Sequence, residues 1–138
     1  MANDFTARVT TAVTPAAAWK LAGDPERVTE WFTPIVEAWV DGDERTVVMA
    51  SGAELVERLV DRDDVAHSYS YEVLSGIPGL TSHRATISVV AAGDGSEISW
   101  RQRATSSVEG YDIEERLGGI MREGLDRLRD ILEGATGE

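Results

Sequence analysis

Several kinds of residue are missing or rare in this sequence. It contains no cysteine, so it can form neither disulfide bonds nor a catalytic thiolate. Histidine occurs only as His67 and His83, too few for a metal site with three histidine ligands. Neither a glycine-rich phosphate loop nor a G-x-S-x-G nucleophile turn is present. We therefore expect no metal and no cofactor.

Long apolar runs and positive charge are also lacking. No apolar stretch reaches the roughly 18 residues of a membrane-spanning helix. The first residues, MANDFTARVT, lack the basic and apolar regions of a signal peptide. With 13 basic against 25 acidic residues, the net charge of −12 repels nucleic-acid phosphates and anionic membrane surfaces. We expect a cytoplasmic protein without nucleic-acid or membrane partners.

The residues that are present indicate one folded domain. The chain has 138 residues, 42% of them apolar and four of them tryptophan, which is enough for a sizeable core. No linker, repeat or low-complexity tract divides it, so we predict a single domain over residues 1–138.

The acidic segment 61–64 superficially resembles a calcium loop, but the other ligands of such a loop are absent. A solvated hairpin is the better interpretation.

The longest periodic segment runs from Glu109 to Glu133. Its apolar residues recur at steps of three and four, which is typical of one face of a long helix. They are Ile113, Leu117, Ile120, Met121, Leu125, Leu128, Ile131 and Leu132. Gly134 stands where a C-cap glycine is expected.

Three glycines lie inside this predicted helix. Gly118, Gly119 and Gly124 each cost about 1 kcal/mol relative to alanine. They indicate either close packing against a neighbouring element or space for a ligand. In the second interpretation, a cavity would lie under Gly118 and Gly119.

The rest of the chain predicts a strand, two short helices and a run of antiparallel strands. The first strand is Phe5–Val13. A helix from Pro15 to about Ala22, capped by Thr14, follows it, and a second helix runs from Pro25 to about Phe32. Six further strands are predicted at Val36–Val40, Thr46–Ala50, Glu54–Val60, Ser68–Leu74, Ser82–Val90 and Glu97–Thr105. Segregated elements of this kind are typical of the α+β class.

Motifs in this order support a family resemblance. They include Ala18-Trp19, Asp24-Pro25, Trp31-Phe32-Thr33-Pro34, Ser51-Gly52, Glu57-Arg58-Leu59, Asp63-Asp64, Tyr69-x-Tyr71, Ile77-Pro78 and Gly95-Ser96-x-Ile98-x-Trp100. The chain resembles the SRPBCC, or START-like, helix-grip superfamily over nearly its whole length, and in detail the bacterial polyketide cyclase/dehydrase type. The resemblance implies a curved antiparallel sheet of six or seven strands around a long C-terminal helix, with two short helices after the first strand.

Alternation along the strands indicates which side chains point beneath the helix. With two apolar residues of the helix, they give the predicted ligand-binding set of Tyr69, Tyr71, His83, Trp100, Gln102, Leu117 and Met121. Each polar member also has a structural interpretation. The tyrosines are compatible with ordinary core positions, and His83 with a satisfied core histidine or a strand end in solvent. No catalytic residue is assigned, and the candidates are His83, Glu57 and Tyr71.

Glu57 is the most specific of these candidates. It lies between Leu55 and Leu59 on the inward face of its strand, where a carboxylate is costly unless it has a partner such as Arg45. We favour a structural ion pair over a catalytic acid. A strand register shifted by one residue would turn Glu57 outward.

The expected function is binding of a small, mostly apolar ligand, such as a polyketide, lipid or aromatic metabolite, between sheet and helix. The alternative is a cofactor-independent aromatase/cyclase that closes and dehydrates a poly-β-carbonyl chain. A third possibility is a protein-interaction module like the START-like activators of heat-shock ATPases, for which a filled core and an exposed apolar patch are expected. Either a monomer or a homodimer is compatible with the sequence.

Overall fold

The structure, a computed structural model, describes residues 2–137 and contains one seven-stranded antiparallel sheet. The strands are β1 (Ala2–Thr11), β2 (Ile35–Asp41), β3 (Glu44–Met49), β4 (Glu54–Asp63), β5 (Ser68–Ser75), β6 (Leu80–Ala92) and β7 (Gly95–Ser106). Their order across the sheet is β1-β7-β6-β5-β4-β3-β2, so six strands form a meander and the first strand returns to pair with the last. All six predicted meander strands and the first strand are present.

Strand alternation places the predicted side chains inside. On β7, which pairs with both β1 and β6, Ile98, Trp100, Gln102 and Ala104 are buried, whereas Arg101 is exposed. The β4–β5 pairing is interrupted by register shifts next to Glu57 and after Val60. Irregularities of this kind bend a strand and increase its twist, which helps the sheet to curve around a helix.

Two short helices follow β1. The first, α1 (Pro15–Ala22), has the predicted boundaries, and the Thr14 side chain caps it by accepting a hydrogen bond from the backbone N–H of Ala17. The second, α2 (Val28–Trp31), is shorter than the predicted segment, because residues 25–27 form turns and the chain is extended at Phe32 before Pro34.

The long helix begins later than predicted. Gly110 has a positive φ of 73° and residues 109–112 are not helical. Asp112 accepts a hydrogen bond from the backbone N–H of Glu115 and so caps the start. A π-helical turn, Glu114–Gly118, leads into α3 (Gly119–Gly137), so the helix also continues past Gly134 and does not end there. Within residues 2–137, no helix has the length and apolar character needed to cross a membrane.

The sheet holds α3 against its inner face, which is the helix-grip architecture that the resemblance implies. The buried residues Leu125, Leu128 and Leu132 join a core that also contains Val9, Trp19 and other side chains from β1 and α1. The preceding half of the helical segment covers a space that protein side chains do not fill completely.

Candidate ligand-binding cavity

A cavity of about 140 Å³ lies between the inner face of the sheet and the first half of the C-terminal helix. The helical segment contributes Ile113, Leu117, Ile120 and Met121 to its lining. Strands β3 to β7 contribute apolar residues that include Val47, Leu55, Val73, Trp100 and Ala104. Val28 and Phe32 close the side next to α2, and Ile77, Leu80 and Tyr111 close the opposite end. The walls are therefore mostly apolar.

Arg45 and Glu57 form an ion pair in one wall of the cavity. Arg45 on β3 and Glu57 on β4 are register partners, and their side chains are only 2% and 5% exposed. Arg45 Nε donates to Glu57 Oε1 at 2.7 Å, and Arg45 Nη1 donates to the carbonyl oxygen of Pro25 at 2.9 Å. This confirms the predicted pairing, and it shows that both residues line the cavity.

The surroundings shift the pKa values of both partners. Burial raises the pKa of the Glu57 carboxyl, and the adjacent Arg45 charge opposes this rise without cancelling it. Burial alone would lower the pKa of Arg45, but its interactions with Tyr69, Glu57 and Tyr71 raise it overall. The guanidinium therefore stays charged, and Glu57 is a carboxyl that binds a proton more readily than an exposed one.

Tyr71 contacts both the ion pair and Trp100, another residue of the cavity wall. The Arg45 guanidinium lies over its ring, 4.7 Å from the centroid. The Tyr71 hydroxyl accepts a hydrogen bond from Trp100 Nε1 at 3.1 Å. Burial raises the pKa of Tyr71, so its hydroxyl remains protonated at neutral pH and can donate a hydrogen bond.

His83 is held by hydrogen bonds at both ring nitrogens. Its Nδ1 accepts from the backbone N–H of Val73 at 3.1 Å, so Nδ1 carries no proton in this arrangement. Nε2 then carries the proton and donates it to Gln102 Oε1 at 2.6 Å. Burial lowers the pKa of His83, although Gln102 and Glu72 act in the opposite direction. The imidazole is therefore neutral and engaged, which makes it a poor proton shuttle.

Six of the seven predicted ligand-binding residues line this cavity. These are Tyr71, His83, Trp100, Gln102, Leu117 and Met121. Tyr69 does not line it, because it lies further along β5, where it packs against Trp19 and beneath Arg62. The Tyr69 hydroxyl is sealed from solvent and interacts with the Arg45 guanidinium. Strand alternation predicts on which face of the sheet a side chain lies, but it does not predict how far the cavity extends along that face.

The sequence reasoning did not include the residues that close the two ends of the cavity. Val28 is the first residue of the short helix α2, and Phe32 directly follows that helix. Ile77 and Tyr111 belong to loops. The Ile77-Pro78 loop was noted as a motif, but its position beside the segment 107–111 depends on tertiary contacts. In those contacts, the Gly79 carbonyl accepts hydrogen bonds from the backbone and the side chain of Ser107.

The helix glycines do not create the cavity. Gly119 is exposed, with nothing near the position of an added Cβ, and Gly118 is buried where its Cβ would lie 3.5 Å from the Phe5 ring. A Cβ on Gly124 would lie 3.0 Å from Phe32. The cavity does exist, and Tyr71, His83 and Trp100 do line it, but the inference from missing side chains at residues 118 and 119 is wrong. Gly118 and Gly124 reflect close packing.

A larger depression of about 550 Å³ lies on the outer side of α3, beside Trp31 and Pro34. It is an open groove whose rim includes Glu123, Asp126 and Asp130. The inner cavity is the better candidate site because it is more enclosed and combines apolar walls with a few polar groups, as small-molecule sites usually do.

In the described part of the chain, no three acidic or histidine side chains converge to hold a metal ion.

The acidic hairpin has a structural role in this fold. The Asp63 carboxylate accepts hydrogen bonds from the backbone N–H groups of Val65 and Ala66, which stabilises the turn after β4. Asp61 pairs with Arg84, and Asp64 accepts a hydrogen bond from Trp19 Nε1. These contacts support the interpretation of this segment as a hairpin.

Comparisons with known proteins agree with this architecture. Residues 2–133 match the model of the family described as polyketide cyclase / dehydrase and lipid transport. The solved structure of XoxI from Bacillus cereus is similar, with a TM-score of 0.81, 21% identity, and 94% of this chain and 95% of that chain covered. Ara h 8.0201 is similar with a TM-score of 0.75 and 15% identity over 100% of both chains.

A third structure, of a protein from Thermobifida fusca, has a TM-score of 0.75 and 26% identity, with 94% of this chain and 92% of that chain covered. No curated protein sequence matches the chain significantly. The matched model identifies a family, and the structural neighbours support the helix-grip fold.

Proposed function

The chain belongs to the polyketide cyclase / dehydrase and lipid transport family, and on that premise we propose that it binds a small, mostly apolar ligand, such as a polyketide, lipid or aromatic metabolite, in the cavity between the sheet and α3. The family's description supports hydrophobic ligand binding in general. The observation that carries the proposal is the cavity of about 140 Å³ with largely apolar walls and a few polar groups on one side.

A filling substitution tests the proposal. Ala104 is 4% exposed and lines the cavity, so Ala104→Phe places a ring in the proposed binding volume. Ala91→Phe is the matched control, because Ala91 is an exposed position on β6 outside the lining. In NMR titrations with toluene, we expect saturable binding by the wild type and by Ala91→Phe, and none by Ala104→Phe. Equal binding by the two variants would contradict the proposal, provided that both unfold cooperatively on heating.

A second candidate function, catalysis of the aromatase/cyclase kind, is favoured by one observation. Glu57 lines the cavity, and burial raises the pKa of its carboxyl, as is common for carboxyl groups that act as general acids or bases. Both nitrogens of His83 are already hydrogen-bonded, and burial raises the pKa of Tyr71, so neither is well placed to exchange protons.

A poly-β-carbonyl substrate distinguishes the binder from the enzyme. We expect the wild type not to accelerate the cyclisation of such a compound. An acceleration that Glu57→Gln abolishes while affinity is retained would establish catalysis. The third possibility, a protein-interaction module, was expected to have a filled core, and the cavity removes that premise.

A further inference from the structure

We infer that the ligand is a neutral molecule of about one six-membered ring that carries a hydroxyl group, and that this hydroxyl donates a hydrogen bond to Glu57. The inference rests on the proposed function and specifies the class of ligand for the same cavity. Three observations carry it: the volume of the cavity, the hydrogen-bonding groups left free in its wall, and the charge of that wall.

The volume sets the size of the ligand. The cavity measures about 140 Å³. An apolar protein cavity of about 150 Å³ holds one benzene molecule. A fused polycyclic compound or a long acyl chain would exceed this space and would require the close-packed side chains around it to move. A single ring with a small substituent fits it as it stands.

The polar wall has hydrogen-bonding capacity that the protein leaves unused. Glu57 Oε1 accepts from Arg45, but none of the described residues donates to Oε2. Gln102 Oε1 accepts from His83, and within residues 2–137 its amide N–H groups have no acceptor. Glu57 Oε2 and the Gln102 amide nitrogen are not among the described side-chain atoms that are both inaccessible to solvent and without a hydrogen-bond partner. They therefore remain accessible to a small molecule.

These free groups define the functional group that the wall recognises. Glu57 Oε2 is an acceptor and requires a donor on the ligand. The Gln102 amide and the Tyr71 O–H are donors, and the Tyr71 hydroxyl hydrogen has no acceptor in the described part of the chain. A hydroxyl group satisfies both kinds, because it donates once and accepts from a second partner. An alkyl substituent would leave all of these buried groups unpaired, which is costly.

The charge of the wall favours a neutral ligand. The Arg45 guanidinium is already paired with Glu57 and hydrogen-bonded to Pro25, so the pair is neutral as a unit. A carboxylate ligand would bring an uncompensated charge into the interior next to the Glu57 carboxyl. Burying an unpaired charge is more costly than burying a hydroxyl that is hydrogen-bonded.

Four small compounds test these three points on the full chain by NMR titration. Phenol and toluene differ in the hydroxyl, benzoate adds a charge, and 2-naphthol adds a second ring. We expect phenol to bind about tenfold or more tightly than toluene, since a hydrogen bond to a charged group contributes about 1.5 kcal/mol or more and about 1.4 kcal/mol corresponds to a factor of ten. Benzoate and 2-naphthol should both bind more weakly than phenol.

Two variants connect the preference to Glu57. Glu57→Gln keeps an acceptor but removes its charge, so it should reduce the ratio of phenol affinity to toluene affinity without abolishing the preference. Because this change leaves the Arg45 charge without a counter-charge, the double variant Arg45→Met/Glu57→Leu is measured as well. It removes the acceptor altogether, and it should keep toluene binding while losing the preference for phenol. The matched control is Arg27→Met/Glu30→Leu, which removes an exposed ion pair of the same length and should leave the preference intact.

Each contrary outcome identifies what fails. Equal binding of phenol and toluene by the wild type would overturn the assignment of the hydroxyl and leave the proposed function standing. Tighter binding of benzoate or of 2-naphthol than of phenol would overturn the limit on charge or on size. If none of the four compounds binds saturably, the proposed function fails, and this inference fails with it.

Discussion

Arg45 and Glu57 are tolerated in the protein interior because each neutralises the other. Their side chains are 2% and 5% exposed, and their contacting atoms are 2.7 Å apart. A buried pair of this kind often contributes little net stability, but removing one partner leaves an uncompensated charge. The sequence predicted the pairing because a carboxylate between two inward-facing leucines needs a cation. It could not show that the pair borders a cavity, since that depends on what the neighbouring elements leave unfilled.

A double-mutant cycle measures this coupling. We expect Arg45→Met to lower the free energy of unfolding by about 3–5 kcal/mol, and Arg45→Met/Glu57→Leu to lower it much less. The pair Arg27 and Glu30 has the same 2.7 Å separation but is 44% and 42% exposed. Its coupling should be about 1 kcal/mol or less. Similar coupling energies for the two pairs would show that burial does not determine the strength of the interaction.

His83 gives the second prediction at this scale, a dependence of stability on pH. Burial lowers its pKa below the ordinary value of 6.5, so the unfolded chain binds a proton more readily than the folded protein. Stability due to neutral His83 should be complete above about pH 7 and be lost as the pH falls through about 6.5 towards the lower folded pKa. Protonation would also prevent Nδ1 from accepting the Val73 hydrogen bond.

Urea denaturation at several pH values checks this expectation. The fall in unfolding free energy between about pH 7 and pH 5 should be smaller in His83→Gln than in the wild type. His67→Gln, at the other histidine of the sequence, is measured in parallel so that the contributions of the two imidazoles can be compared. Glu72 and Arg84 lie near His83 and are unchanged in both variants, so the comparison isolates the imidazole. Identical slopes in the wild type and in His83→Gln would contradict the prediction.

At the scale of elements, strands were predicted better than the ends of the long helix. Alternation is a local property of the sequence, and it correctly turned Ile98, Trp100 and Gln102 inward. The start of the helix depends on Gly110, whose positive φ ends the preceding turn, and on capping by Asp112. The apolar period itself begins at Ile113, where the helix starts, so the predicted segment was too long by residues 109–112, which the period does not include.

The helix glycines should differ in their response to alanine. Gly119 has helical φ and ψ of −63° and −49° and open space around an added Cβ, so Gly119→Ala should raise the free energy of unfolding by about 0.5–1 kcal/mol. A Cβ at Gly124 would lie 3.0 Å from Phe32, whose ring packs against Trp100. Gly124→Ala should therefore give no gain.

Chemical denaturation of the two variants tests this difference, and a toluene titration tests whether the cavity is affected. Gly119→Ala should bind toluene like the wild type, because residue 119 does not line the cavity. A stabilisation by Gly124→Ala equal to that by Gly119→Ala would show that the Phe32 ring moves freely. Loss of toluene binding in Gly119→Ala would restore the interpretation that the glycines make space for the ligand.

At the scale of the whole molecule, the order of elements predicted the architecture, but the volume of the cavity was not predictable. The family resemblance placed one helix against the sheet. How completely the helix fills the sheet depends on the sizes and rotamers of side chains from distant parts of the chain, among them Phe32, Ile77 and Met121. A sequence pattern records that a side chain faces inward, but it does not show how closely that side chain meets its neighbours.

The net charge of −12 makes a prediction for the molecule as a whole. Excess charge of one sign opposes folding through self-repulsion, and salt screens it. The Debye length is about 30 Å at 10 mM salt, comparable to the roughly 28 Å length of α3 at about 1.5 Å per residue, and it falls to about 8 Å at 150 mM. At low salt, acidic side chains on opposite sides of the protein therefore repel one another, whereas at 150 mM only neighbouring charges interact.

Exposed ion pairs act in the opposite direction, because salt weakens them too. Pairs such as Arg27–Glu30 and Arg101–Asp4 are about half exposed, and exposed pairs of this kind are weak. We expect the repulsion of the excess acidic charges to dominate, so that Tm rises when NaCl is increased from about 10 to 150 mM. Calorimetry at the two salt concentrations measures this rise.

A comparison variant tests the role of the excess acidic charge. In Glu44→Gln/Asp94→Asn/Glu109→Gln/Glu123→Gln, four exposed acidic residues without an ion pair in the described structure are neutralised, which changes the net charge from −12 to −8. It should melt at a higher temperature than the wild type at low salt and gain less from added NaCl. A wild-type Tm that falls on adding salt would mean that the surface ion pairs outweigh the net repulsion.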